Sequence, residues 1–165
     1  MALEMSVEYE VAEIIRRKKS QYVRLIDTKQ WDEFREVALP NAELSFHDID
    51  GSLMMVGRTG MAFTSIEAFT AYFSKFFAKA QTLHMLGIGE LERIGPKEVK
   101  AIWGMEDQLL LSGSAEVRGG GYYYETWVME ENDWFLKTLK LERTYIKYNY
   151  VARIGIFLQG LGVNL

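Results

Sequence analysis

The side chains of this sequence best suited to moving protons stand on apolar surfaces. His84 lies in "TLHMLGIGEL", where strand alternation puts it on one face with Leu86 and Ile88. Arg143 shares a face with Phe135, Leu139, Leu141 and Tyr145. Asp107 follows Val99, Ala101, Trp103 and Met105 in the same alternation and precedes Leu109. Tyr22 belongs to the apolar stripe of a helix. A polar group on such a surface costs free energy unless it is paired, so these residues are expected to face one another or a polar group of a substrate. A histidine exchanges protons near neutral pH, a carboxylate orients it and a phenol donates, which is an inventory for general acid–base chemistry. Each residue also has a plainer role open to it: His84 as a satisfied core histidine, Arg143 as the partner of Asp107 or Glu125, Tyr22 as packing. Asp27, in "QYVRLIDTKQWDEF", either caps the helix that follows or is a buried acid, and its pattern leaves both open.

Helices come first and long strands follow. Residues 8–26 read as a helix with Val11, Ile14, Ile15, Tyr22, Leu25 and Ile26 on one face and Lys18 as the polar interruption. "TKQWDEFREVA" reads as a short second helix stopped at Leu39-Pro40. "AELSFHDI" and "SLMMVGR" flank Asp50-Gly51 as a hairpin. Thr64-Ser65-Ile66-Glu67 forms a capping box before a helix whose apolar face carries Ile66, Phe69, Phe73, Phe76, Phe77 and Ala80. Then the period changes to two: "TLHMLGIGEL", "VKAIWGMEDQLLL", "GYYYETWVME" and "DWFLKTLKLERTYIKY" read as four long strands. This order predicts an α+β fold with an antiparallel sheet. A strongly curved sheet with helices over its concave side makes a cone around a pocket, with Gly87, Gly89, Gly104 and Gly113 supplying bends.

The totals narrow the function classes. The 165 residues fit one domain, and aromatic residues at 13% can fill a core or line a pocket for a flat apolar molecule. A net charge of −4 speaks against a nucleic-acid partner. Without cysteine there is no thiol nucleophile, and His47 and His84 alone do not make a multi-histidine metal site. "MALEMSVEYEVAEIIRRKK" lacks the apolar run of a signal peptide, and no stretch reaches the roughly 20 apolar residues of a membrane span, so a soluble cytoplasmic protein is expected.

Three segments carry a resemblance to a family. They are "YVRLIDTKQWDEF", "LHMLG" after an aromatic-rich helix, and "IWGMEDQLL" followed by "GGGYYYETWVMEENDWFLKTLKLERTYIKY". In this order they resemble the SnoaL-like branch of the nuclear-transport-factor-like superfamily, which includes the scytalone dehydratases and the bile acid 7α-dehydratases. The resemblance spans roughly residues 8–150 and implies a single domain, a cone-shaped α+β barrel over residues 1–165. Beyond it, the apolar C-terminal tail, 151–165, is expected to lid the pocket or contact a neighbouring subunit.

It also implies an active site of Tyr22, Asp27, His84 and Arg143. His84 would act as general base and then acid, Asp27 would fix its tautomer, Tyr22 would donate to an enolate oxygen, and Arg143 would orient Asp27 or bind a polar substrate group. Phe69, Phe73, Trp103, Tyr124 and Trp127 would wall the pocket, with Asp107 as a polar substrate contact. The resemblance to scytalone dehydratases would imply a second histidine on the next strand, where "AIWGMEDQ" has none, and the single-histidine pattern of the bile acid dehydratases is the one matched. The implied function is a cofactor-independent dehydratase of a hydroxylated polycyclic, polyketide- or steroid-like carbonyl compound, free of membrane partners and assembled as a homo-oligomer, a trimer first. The competing readings are an isomerase, a polyketide cyclase or an epoxide hydrolase on the same scaffold, or a non-catalytic ligand-binding or assembly subunit.

Overall fold

The computed structural model describes residues 6–111 and 114–160. The first helix, α1 (Tyr9–Asp27), buries Ile15, Tyr22, Leu25 and Ile26. The polar residue at the centre of its stripe is Lys19, fully buried, and not Lys18. Lys18 sits at the edge, donating to the Glu36 carbonyl and to Asp133, and Ile14 is exposed. The helix ends in a Schellman turn: the Gln30 N–H donates to the Leu25 carbonyl, the Lys29 N–H to that of Ile26, and Lys29 takes φ 59°. The backbone thus meets its own last carbonyls.

The expected second helix is a 3₁₀ helix, Trp31–Glu36. Leu39 and Pro40 lie inside strand β1 (Ala38–His47), at an irregularity between Ala38 and Glu43 where a missing proline N–H is tolerated. The turn expected at Asp50-Gly51 forms with Gly51 at φ 82°. Its second arm reduces to one bridge, His47 to Leu53, and β2 (Met55–Val56) pairs with β3 (Thr59–Gly60) instead. After β4 (Ala62–Phe63), helix α2 (Ile66–Phe76) starts one residue later than the capping box predicted: the Ser65 hydroxyl accepts the Ala68 N–H.

"TLHMLGIGEL" breaks into β5 (Gln81–Leu86) and β6 (Glu90–Gly95). Gly87 and Gly89 fall in the gap, and Ile88, expected beside His84, is 92% exposed. Both strands pair antiparallel with opposite ends of β7 (Glu98–Leu110), which runs through Gly104 without a break. Gly113 lies outside the described residues. Strands β8 (Glu116–Glu130) and β9 (Asp133–Tyr148) complete a seven-stranded sheet in the order β4-β1-β9-β8-β7-β5, with β6 also on β7. Only β1 and β9 run parallel in it. The fold is α+β with a curved, mostly antiparallel sheet, and α1 packs on β5 and β9. No helix among the described residues is long and apolar enough to cross a membrane.

Two register shifts between β8 and β9, at Gly120/Gly121 and Thr126/Trp127, change which residues of β9 face inward. Leu136, not Phe135, is fully buried, and Tyr145 turns outward while Arg143 stays inside. Gly121 is required at the first shift, because a Cβ there would lie 2.1 Å from the Glu142 carbonyl oxygen. Gly121→Ala is therefore expected to cost at least about 2 kcal/mol, lowering the melting temperature by roughly 4–8 °C in a thermal unfolding scan.

Candidate active site

Between the sheet and α2 lies a cavity of about 640 Å³. Its apolar wall comes from Phe46, Phe69, Phe73, Phe76, Phe77 and Leu141. Tyr22, Tyr123, His84, Asp107 and Arg143 add its polar groups. Phe69 and Phe73 arrive there because α2 buries the face they share, their ring centroids 4.8 Å apart. The final helix, α3 (Tyr150–Gly160), is capped by Asn149, whose Oδ1 accepts the Ala152 N–H. It brings Ala152, Gly155 and Ile156 into the cavity lining. Residues 161–165, the rest of the C-terminal tail, lie outside the described residues.

Asp27 and His84 meet. His84 Nδ1 lies 2.7 Å from Asp27 Oδ1, the Thr82 hydroxyl donates to Oδ1 at 2.8 Å, and the His84 backbone N–H donates to Oδ2 at 2.9 Å. Asp27 makes no bond to the amides of residues 29 and 30, whose donors the Schellman turn uses. Two features of the chain explain the contact. The end of α1 points Asp27 at the edge strand β5, and that edge offers an N–H without a strand partner. A carboxylate only accepts, so Nδ1 carries a proton, and in the neutral imidazole Nε2 is the nitrogen with the free lone pair. His84 lines the cavity and Asp27 lies behind it.

The second polar pole is an ion pair. Arg143 donates to both oxygens of Asp107, Nη1 to Oδ1 at 3.1 Å and Nη2 to Oδ2 at 2.6 Å. Arg143 does not reach Asp27, against one of the two roles expected for it. Burial works against its charge, but the Asp107 carboxylate outweighs this and holds Arg143 above the usual arginine range. Gly119 makes room, since a Cβ there would come within 2.7 Å of Arg143 Nη1. Asp107 is the cross-strand partner of His84, so the two poles are neighbours on one surface.

Tyr22 is fully buried, and its hydroxyl has no hydrogen-bond partner among the described residues. Burial, reinforced by the Tyr123 hydroxyl and the Glu125 carboxylate nearby, raises its pKa well above the ordinary phenol range, so it stands as a donor. Tyr123, which in the run 122–124 reads in sequence only as strand packing, also lines the cavity, and burial likewise raises its pKa, with Asp107 adding to the effect.

Three residues expected in the pocket wall are elsewhere. Tyr124 projects from the outer face of β8, 39% exposed, because Tyr123 takes the inward position. Trp103 and Trp127 do face inward, but into the solid core beneath α1, where both indole N–H groups donate to Glu125 Oε2, at 2.7 and 2.8 Å. Glu125 is in turn paired with Lys19 at 2.5 Å, a buried contact absent from the sequence reading. The signal for it was there: Glu125 shares strand parity with Tyr123 and Trp127, and Lys19 lies one turn before Tyr22. No cluster of three histidine or carboxylate side chains arranged for a metal occurs among the described residues.

Known proteins share this architecture. The crystal structure of Kfla4162 from Kribbella flavida is similar with a TM-score of 0.72 at 18% identity, over 87% of this chain and 97% of that one. A candidate scytalone dehydratase from Novosphingobium aromaticivorans is similar with a TM-score of 0.68 at 15% identity, over 82% of this chain and 85% of its own. At such identities these two speak for the fold. In sequence, the Gibberella zeae protein named "Probable cyclase FGR4" is 41% identical over 150 residues, 87% of this chain and 97% of that protein. The SnoaL-like domain is matched by residues 8–140, from the start of α1 into β9, a stretch that holds Asp27, His84 and Asp107 and stops just short of Arg143. By that match and that relative, the chain belongs to the SnoaL-like domain family.

Proposed function

We propose that this chain is a cofactor-independent acid–base enzyme that removes a proton from a carbon next to a carbonyl in a hydroxylated polycyclic or polyketide-like substrate and then expels water. The contact between Asp27 and His84 at the cavity wall carries the reading. His84 Nε2 takes the Cα proton, and the C–H electron pair becomes the enolate. Tyr22 donates to the oxygen on which charge develops. The enolate pair then forms the C=C bond while the β C–O bond breaks, and His84 returns its proton to the departing hydroxide as water. Asp27 holds the ring in the tautomer that leaves Nε2 free and stabilises the imidazolium between the two transfers. The apolar wall of the cavity suits a flat carbon skeleton, and Asp107–Arg143 suits a hydroxyl or carbonyl at one end of it.

A second reading begins with the same proton transfer and has its own support, the relative named a cyclase. There the enolate carbon attacks a carbonyl of the same molecule, a C–C bond forms, and His84 gives its proton to the new alkoxide. The two readings part at the product, which loses water in the first and keeps the substrate mass in the second. Incubation in D₂O with a β-hydroxy ketone polycycle tests the shared step: deuterium is expected at the exchangeable α-position, by NMR, faster than in buffer alone. Tyr22→Phe is expected to slow turnover by about 10²-fold while leaving the fold intact, as loss of one oxyanion donor does elsewhere. Equal exchange with and without protein sinks both readings.

A further inference from the structure

Below the cavity lies a charged group that the reaction as described leaves idle. Lys19 is fully buried on α1, one turn before Tyr22. Its ammonium lies 3.6 Å from the centroid of the Tyr123 ring and 4.3 Å from that of Tyr22. Glu125 Oε1 holds it at 2.5 Å, and the other oxygen of Glu125 is taken by the indoles of Trp103 and Trp127. Taking two charges out of water is expensive, and an apolar pair of the same size commonly serves packing as well or better. The geometry is also directional. The positive end of the pair faces two phenols, and both tyrosines line the cavity. The negative end faces two indoles.

We propose that Lys19 is a positioning residue for this site: its ammonium, held against both rings by Glu125, polarises Tyr22 and Tyr123 so that they donate more strongly to the oxyanion that develops on the substrate. A cation on the face of an aromatic ring is attracted to its electron density and favours charge moving onto the phenol oxygen, and the effect is largest where water is excluded. Burial lowers the pKa of Lys19 and the Glu125 carboxylate opposes that, so Glu125 both places the ammonium and works against the loss of its charge. The Tyr22 hydroxyl, buried without a hydrogen-bond partner among the described residues, stands ready for a substrate oxygen. The inference rests on the reading of the cavity as an oxyanion-stabilising site, and the test separates the two.

The probes are a nitronaphtholate, anionic at assay pH, and the methyl ether of the same nitronaphthol, each titrated calorimetrically. The native protein is expected to bind the oxyanion more tightly than the ether. In Lys19→Met/Glu125→Gln, which removes both charges and keeps the bulk, that preference is expected to fall about tenfold, with ether affinity unchanged. Lys19→Arg, which restores the cation, is expected to recover most of it. If the native protein shows no preference for the oxyanion, the reading of the cavity fails. If it shows one and the neutral double variant keeps it, the role of Lys19 is overturned. If the double variant loses the ether as well, Lys19→Arg decides, since a folded arginine variant without the preference overturns the proposal.

Discussion

His84→Ala is expected to lower kcat for a β-hydroxy ketone substrate by on the order of 10²–10⁴-fold, the usual contribution of a positioned acid–base group. A thousandfold loss corresponds to about 4 kcal/mol of transition-state stabilisation. The fold is expected to survive the change. Asp27 keeps two of its three bonds, from the Thr82 hydroxyl and from the backbone N–H of residue 84, and neither needs the imidazole. Asp27→Asn tests the same pair from the other side. Its carboxamide can still accept the backbone N–H, but an amide NH₂ turned towards Nδ1 would reverse the tautomer, put the proton on Nε2 and remove the base. A loss of at least about 10²-fold is therefore expected with little change in melting temperature, read from initial rates beside a thermal scan. Wild-type turnover in both variants would falsify the assignment.

The sequence made the faces of the elements legible but not the depth at which each residue sits. Alternation in β7 turned Trp103 and Asp107 inward alike, and both are inward. Only Asp107 meets the cavity, because Trp103 is tied into the core by Glu125, itself paired with Lys19 of α1. Tyr124 was assigned together with Trp127, although their odd separation puts them on opposite faces. Strict parity would have selected Tyr123. Arg143 was placed correctly, yet its expected companions Phe135 and Tyr145 were not, because a bulge adds one residue to one strand and reverses parity beyond it. The run Gly119-Gly120-Gly121 reads in sequence as a break between two strands, but it lies inside β8, where its missing side chains admit the first bulge. Lys19 escaped because Lys18 and Lys19 are adjacent, and a helical stripe is wide enough to admit either. Asp27 was undecidable from its own segment. Its partner is 57 residues away, and a cap and a catalytic acid use the same residue type. The resemblance to dehydratases linked the two, and the Schellman turn explains physically why the carboxylate was free to be linked.

Arg143→Gln is expected to be the most destabilising single change at the site, by about 3–5 kcal/mol, because it leaves the buried carboxylate of Asp107 without its cation. The side chains are 8% and 3% exposed, so solvent does little to compensate. For a chain of this size the melting temperature should fall by roughly 6–20 °C. Asp107→Asn, which strands the guanidinium instead, is expected to act in the same direction. The pair differs from an exposed ion pair in one testable respect, its coupling. In Asp107→Leu/Arg143→Met both charges are gone, and stability is expected to return to within about 1–2 kcal/mol of the native protein, far above the sum of the single losses. Turnover is not expected to return with it, since the cavity would then lack the polar pole beside His84. Chemical denaturation of the native protein, Asp107→Leu, Arg143→Met and the double variant gives the coupling energy, and their turnover gives the functional share. Additive single losses would mean the pair is not the unit its geometry describes. Full turnover in the apolar double variant would mean that Asp107 and Arg143 hold the sheet together and take no part in binding the substrate.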